Sequence, residues 1–349
     1  MRYHFGDVDA LADGPTLLAA LAASPLGLLL AFVFGATWGS FYNVVVARLP
    51  RGQSVVRPGS HCFACGAPVK ARDNIPLVSY WLLRGRCRAC GVRFSPRYFF
   101  VELLTALLSV ALWQVFVRGA EPGAMTSGVF DGTQAGTWIH SCWSLDPGAY
   151  AGGGPGPGGA IPVGLRFARY AYFFAFVSCL EVLALIDAET QRLPDVLTLP
   201  GIPLFFLAAF AADTVPWAGT WKERAIGLVA GYLVLRLISD FYYYVLKREG
   251  LGLGDAKLLA LIGGALGWKS LPFVLFGGAC FGTVIAIPLL LAQRARKPAE
   301  SKPTSDKPEA TPEADARFGR LAVPFGPFLA MAAVLWIFVG PAVLPVFGF

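Results

Sequence analysis

Eight apolar runs divide the chain, at 17–47, 99–117, 167–186, 196–213, 225–246, 257–268, 271–292 and 321–346, with polar segments between them. A helix needs roughly 20 residues to cross a hydrocarbon core of about 30 Å, so these runs predict about eight transmembrane helices. The sixth is too short to cross without help from its glycines and its neighbours. The first run continues into a polar stretch and lacks a small-residue cleavage pattern before a soluble domain, so it is expected to stay in place and not to be removed as a signal. The fold class that follows is an all-α polytopic membrane protein.

Composition supports this reading and charge orients it. The chain has 349 residues, 56% hydrophobic and only 15% charged, where soluble domains carry about 25% charged residues. Of its 29 Lys and Arg, 21 fall in 48–98, 187–195, 247–257 and 293–320, and 7 fall in the segments on the other side. The positive-inside rule makes the first set cytoplasmic and puts both termini outside. The net charge of +7 is then largely a consequence of topology. It fits contact with membrane lipid headgroups and does not call for nucleic acid.

This topology divides the chain into an external N-terminus with the first span (1–47), a cytoplasmic segment (48–98), a second span (99–118), an external Gly/Pro-rich loop (119–165), a block of transmembrane helices (166–292), a linker (293–320) and a last span (321–349). The loop holds Ala151-Gly152-Gly153-Gly154-Pro155 and cannot build a core, so a flexible connection is expected. The linker mixes Lys, Pro, Glu, Ser and Thr, the composition of a disordered segment. Nothing outside the membrane is long enough for a large soluble enzyme domain, so any chemistry has to be built from helix ends.

The cytoplasmic segment carries four of the seven cysteines as two C-x-x-C pairs, Cys62/Cys65 and Cys87/Cys90, each followed by a glycine, Gly66 or Gly91. Four thiolates are the tetrahedral set that structural Zn2+ prefers, and the cytoplasmic side is reducing, which disfavours disulfides. A small zinc-binding domain is therefore expected, closed by four protein ligands and structural in role. Redox-active or metal-free cysteines are the other reading. His61 stands beside the first pair and is expected to be a surface residue. Cys179 and Cys280 lie in apolar runs, where a thiol behaves as a small hydrophobe, and Cys142 is alone in the external loop.

Two carboxylates carry the candidate chemistry. Asp187 closes the run that ends Leu185-Ile186-Asp187, and Asp255 follows Gly252-Leu253-Gly254. The topology puts both at the cytoplasmic face. Ionisable groups at membrane depth read as functional by default. Two carboxylates that meet in a partly dry site share a proton, so one can activate water while the other polarises a carbonyl, which is aspartic proteolysis. From spacing alone, helix N-capping explains Asp255 equally well, and Asp187 is also readable as an interfacial carboxylate. A dinucleotide fingerprint is excluded because the third glycine is misplaced and no strand precedes it. Asp195 is expected to cap a helix start, Asn43 to hydrogen-bond a neighbouring helix, Asp240 to pair with Arg236, and Lys257 either to neutralise a carboxylate or to reach the interface.

These residues lie within a longer ordered series: Gly39-Ser40-Phe41-Tyr42-Asn43, the two C-x-x-C pairs around Asn74-Ile75-Pro76-Leu77-Val78-Ser79-Tyr80, Arg97 through Glu102, the Asp187 motif, G-x-G-D-x-K-L at Asp255, and Pro324-Phe325-Gly326-Pro327. In this the chain resembles the bacterial type IV prepilin peptidases, the leader peptidase/N-methyltransferases. The resemblance implies an inner-membrane, multi-pass aspartic endopeptidase with its active site at the cytoplasmic face. Such an enzyme removes the basic leader from the N-terminal segments of prepilins and pseudopilins of type IV pili or type II secretion. It also implies N-methylation of the new N-terminus with S-adenosylmethionine, Asp187 and Asp255 as the catalytic pair, and Cys62, Cys65, Cys87 and Cys90 as metal ligands. The methyl-donor site is not locatable from motifs. An intramembrane aspartyl protease of other membrane proteins, a carboxylate-dependent transporter and an assembly scaffold remain as alternatives.

Overall fold

The computed structural model describes residues 17–118, 163–211, 220–247, 252–296 and 324–344. The bulk of the expected external loop, Cys142 and most of the expected linker lie outside them. The described residues are mostly helical and no strand occurs among them; the cysteine segment between α2 and α4 is built mainly of turns and holds two isolated β-bridges. The helices are α1 (Leu17–Ala23), α2 (Pro25–Arg48), α3 (Val78–Leu82), α4 (Arg97–Trp113), α5 (Val163–Thr190), α6 (Asp195–Ala211), α7 (Trp221–Leu246), α8 (Leu253–Leu266), α9 (Ser270–Arg296) and α10 (Gly326–Val343). A π-helical turn, Gln114–Arg118, extends α4.

Every apolar run predicted from sequence meets a helix, and several of the helices differ from the runs by a few residues at their ends. The first run is broken at Ser24, whose hydroxyl accepts from the Gly27 N–H at 3.2 Å and donates to the Leu21 carbonyl at 2.7 Å, with Pro25 opening α2. A capping Ser followed by Pro at the first helical position is a strong helix start, so the run folds as two helices. At the other end, α9 continues to Arg296, into the first residues assigned to the linker. Among the described residues four helical stretches suffice by length and composition to cross a membrane: Pro25–Arg51, Arg97–Arg118, Val163–Thr190 and Trp221–Val245. Asp195–Phe210, Ser270–Ile285 and Gly326–Gly340 are shorter apolar helices.

The chain divides into two compact units, residues 1–178 with 207–217, and 179–206 with 218–349. In the first, α2 and α4 pack through a row of small residues four apart, Gly27, Ala31, Gly35 and Gly39, all buried. A Cβ on Gly35 would stand 2.6 Å from the Ser109 Cβ, and one on Gly39 would stand 2.8 Å from the Glu102 Cα. Without a hydrophobic drive between helices in lipid, such close approach with polar bonds across it is what holds spans together. The polar bonds are present: Asn43 Nδ2 donates to the Tyr98 carbonyl at 3.2 Å, as expected of it, and Ser109 Oγ donates to the Ala31 carbonyl at 2.6 Å. The start of α5 joins by aromatic contact, Trp113 edge-on to Tyr170 and Phe116 stacked on Phe173 at 4.4 Å.

The second unit is organised around α8. This helix has only 14 residues, about 21 Å at 1.5 Å per residue, and 11 of them are buried. It packs on α7, α9 and α10. Gly227 and Gly231 of α7 sit directly against the backbone of Gly263 and Leu259, where a side chain on any of these glycines would collide with main-chain atoms. A helix enclosed by protein does not need the length of a lipid-facing span, which explains the short sixth run.

Candidate active site and metal centre

Asp187 lies in the last turn of α5, and the Gln191 N–H still bonds its carbonyl at 2.8 Å. Gln191 then adopts φ +53°, the chain turns, and α6 begins at Asp195. Asp255 is the third residue of α8, whose N-cap is Gly252, and its carboxylate interacts back with the Gly252 main chain. The cap is therefore the glycine and not Asp255. Both side chains are buried, with 5% and 9% exposure, and each carboxylate stands within range of the other's charge. The second unit thus brings together the two carboxylates singled out from sequence.

The surroundings of the pair come from three further elements. Gly326, the first residue of α10, lies against Asp187 so closely that a Cβ there would stand 2.6 Å from Oδ2. That oxygen is buried and lacks a hydrogen-bond partner among the described residues. Buried acceptors are nearly always paired, and exceptions cluster where chemistry is done. Gly254, next to Asp255, leaves room for Leu193, whose Cβ would be 3.1 Å from a Cβ at that position. Lys257 Nζ bonds Asp195 Oδ1 at 2.5 Å and ties the start of α6 to α8. The Asp195 carboxylate is thus engaged by a lysine from another helix and does not cap its own, because Lys257, two residues from Asp255, presents an opposite charge at the same helix ends. Arg236 pairs with Asp240 at 3.1 Å as expected, away from these groups in the sequence.

The cysteine segment belongs to the first unit and is built from two matching turns. The Cys62 N–H bonds the Ala67 carbonyl and the Gly66 N–H bonds the Cys62 carbonyl; Cys87, Val92 and Gly91 repeat the pattern. Gly66 and Gly91 take φ +70° and +72°, the left-handed conformation that glycine alone adopts without strain. The four Sγ atoms lie within 4.8 Å of one another, with Cys62 and Cys90 at 3.8 Å. Tetrahedral zinc with Zn–S bonds of about 2.3 Å needs sulfurs about 3.8 Å apart, so the donor set fits such an ion. The main-chain N–H groups of Cys65 and Ala64 hold the Cys62 thiol down to about 6. The Val92 N–H favours the Cys90 thiolate too, but burial and the three neighbouring cysteines outweigh it and push that thiol up to about 11. Four thiolates at this separation need a cation between them. His61 is outside the cluster, its Nδ1 3.0 Å from the Gly59 carbonyl. Cys179 and Cys280 also lie outside it.

Other polar residues frame the segment. Arg48, buried at the end of α2, donates to the carbonyls of Ser54, Pro58 and Gly59. Arg88 grips Asp73 through three bonds of 2.6 to 3.1 Å. Glu102 accepts from the Leu77 N–H at 2.6 Å, where Leu77 takes φ +63°. Sequence reasoning left Glu102 without a role and did not separate Gly326 from its motif.

Two family models match, in order: the bacterial peptidase A24 N-terminal domain over residues 33–116, which includes all four cluster cysteines, and the type IV leader peptidase family over residues 174–287, which includes both aspartates. A prepilin leader peptidase/N-methyltransferase of Myxococcus xanthus is 30% identical, covering 91% of this chain and 91% of its own. One from Klebsiella pneumoniae is 35% identical over 69% of this chain and 86% of its own, and one from Pseudomonas putida is 32% identical over 92% and 95%. No solved structure matches. With both halves matched and relatives aligned along nearly their whole length, the chain belongs to the type IV leader peptidase family.

Proposed function

We propose that the protein is a membrane-embedded aspartic endopeptidase that removes the basic leader from prepilins or pseudopilins at the cytoplasmic face of the bacterial inner membrane, and then methylates the new N-terminus with S-adenosylmethionine. The observation that carries the peptidase reading is the pair of buried carboxylates, Asp187 and Asp255, brought from two helix ends into range of each other, with Asp187 Oδ2 unpaired. Two carboxylates that meet in a partly dry site hold one proton between them. The ionised one takes a proton from water as its oxygen attacks the scissile carbonyl. The protonated one gives its proton to the carbonyl oxygen, and the leaving amine receives a proton as the C–N bond breaks. Gly326 lets the start of α10 close on Asp187, and Gly254 lets Leu193 close on α8, so the two glycines help to set the position of the pair.

The substrate fits the setting. A prepilin joins a basic cytoplasmic leader to an apolar helix, so its scissile bond lies at the cytoplasmic interface, where the charge pattern puts the ends of α5 and α8. The remaining apolar runs complete an eight-span arrangement, with 48–98 cytoplasmic and 119–165 external. Cys62, Cys65, Cys87 and Cys90 hold Zn2+ as a structural ion that braces the cytoplasmic segment. The methyl group comes from S-adenosylmethionine, which supplies an electrophilic carbon on a sulfonium.

The test is cleavage of a synthetic prepilin N-terminal segment by the detergent-purified full chain, read by mass spectrometry. Asp187→Asn and Asp255→Asn should each lower cleavage by roughly 100- to 10,000-fold while leaving the protein in the membrane. An added methyl mass with S-adenosylmethionine reports the second activity. Full processing by either variant would sink the mechanism.

A further inference from the structure

A cavity of about 670 Å³ opens in the first unit at the junction of the cysteine segment and α4, between Tyr80, Arg84, Arg86, Arg93, Ser95 and Pro96. We propose that it holds the phosphate headgroup of an anionic membrane lipid, with α3 seated in the bilayer surface beside it; the proposal rests on the membrane-embedded reading above. The charged part of the lining is three arginines and no carboxylate. None of the three guanidinium groups has an ion pair among the described residues. The acidic residues nearest in sequence are engaged elsewhere, Asp73 by Arg88 and Glu102 by the Leu77 N–H.

The two cysteine turns show that the local fold does not need this charge. At matching places in the two turns, His61 faces Pro68 in the first and Arg86 faces Arg93 in the second. Residues directly opposite across such a bridge stand about 5 Å apart at Cβ, and like charges there repel. The first turn closes without an arginine pair, so in the second the pair costs stability that an anion between the two guanidinium groups offsets. Arg84 adds a third positive group. It takes φ +51° ahead of Gly85 at +64°, turning the chain from α3 into the bridge, where Gly85 accepts from the Phe94 N–H at 2.9 Å.

The apolar neighbours point to a lipid and not to a soluble phosphate. Trp81 and Leu82 of α3 are 69% and 68% exposed, and Val78 and Phe100 are exposed as well. Trp81 packs edge-on against Phe99 in the first turn of α4, and the stretch Arg97–Arg118 is long and apolar enough to cross a membrane. The cavity reaches Pro96, the residue before that stretch. An exposed Trp at the mouth of a span suits the interfacial belt, and arginines at that level meet the phosphates of a negatively charged leaflet. A basic leader peptide is repelled by the same three groups.

The experiment is a lipid titration of the detergent-purified full chain followed by native mass spectrometry, with phosphatidylglycerol, phosphatidylcholine and inorganic phosphate as probes. Wild type should hold phosphatidylglycerol most tightly. Arg84→Gln, Arg86→Gln and Arg93→Gln combined should weaken it roughly 100-fold. Arg51→Gln, Arg57→Gln and Arg72→Gln combined remove as many charges from the same segment outside the cavity, and should change it by no more than about threefold. In vesicles of phosphatidylcholine and phosphatidylglycerol, a photocrosslinking benzoylphenylalanine in place of Trp81 should attach to lipid, a readout that holds even where the triple variant misfolds. Wild-type affinity in the cavity variant, equal binding of phosphatidylcholine, displacement by inorganic phosphate at matching concentration, or no lipid adduct at position 81 overturns the proposal. Metal loss from the cavity variant with lipid affinity kept assigns the arginines to the thiolate cluster and also overturns it. A full chain that alkaline carbonate releases from membranes removes the membrane-embedded reading itself, and the site with it.

Discussion

Gly326 is the residue whose role only the folded chain reveals. In the sequence it belongs to a Pro-Phe-Gly-Pro string and reads as the start of a helix; in space it closes on Asp187 with no room for a methyl group. Gly326→Ala should therefore displace the carboxylate. Because the change acts on the carboxylate itself, we expect kcat to fall by about tenfold or more with KM changed less than threefold, a split that steady-state kinetics on the leader peptide measures. Wild-type kcat in the variant would show that the contact does not constrain Asp187. Asp187 and Asp255 were legible beforehand because a lone carboxylate stands out against an apolar run. Gly326 was not, because a glycine carries no chemical signature and its partner is distant in sequence. Asp195 was misjudged for a related reason: local spacing suggested a cap, whereas its partner Lys257 comes from another helix.

At the scale of elements, helices were legible from apolar runs, and the cysteine turns from their spacing. What holds the helices together was less so. The glycines of α7 and α8 are scattered in sequence and meet only when the two backbones touch. Gly227→Val should force the helices apart at a cost of about 1–3 kcal/mol. Because α8 carries Asp255, cleavage should fall in parallel with thermal stability; a stable but inactive variant, or the reverse, would separate packing from site geometry. The cysteine segment has its own dependencies. A chelator should release the metal, and limited proteolysis within 60–93 should accelerate, because a metal that binds only the folded segment contributes its binding energy to folding; an unchanged digestion rate would count against a structural ion. The same segment carries a pH dependence. The Arg88 guanidinium holds the Asp73 carboxyl below its ordinary value. A carboxylate lowered by folding stabilises above its unfolded pKa of about 3.9 and loses that contribution as pH falls through the lowered value. Wild type should thus lose more stability than Asp73→Asn on acidification below about pH 4, by an amount small enough that only a difference between matched melting curves reveals it.

The molecule as a whole is set by its distribution of charge. Among the described residues four helical stretches are long and apolar enough to cross a membrane alone, and the shorter α8 is enclosed by its neighbours. In the proposed eight-span arrangement length alone undercounts the crossings, and hydropathy by itself does not say which helix ends share a side. On that proposed arrangement the basic residues do: 21 of 29 gather in alternate connections, beginning with the cysteine segment, and the positive-inside rule then orients all of these connections together. A membrane-impermeant thiol reagent checks this in intact cells, using single cysteines introduced at Ser301 and Ala135, positions in the linker and in the external loop, in a background with Cys142 replaced. The expected outcome is labelling at 135 in intact cells and at 301 only after the membrane is permeabilised. The reverse pattern would put Asp187 and Asp255 on the outer face, out of reach of a cytoplasmic leader, and the peptidase proposal would fall with the topology. Labelling at both sites in intact cells would mean an even number of crossings between them, with the short helix α8 the first to reconsider.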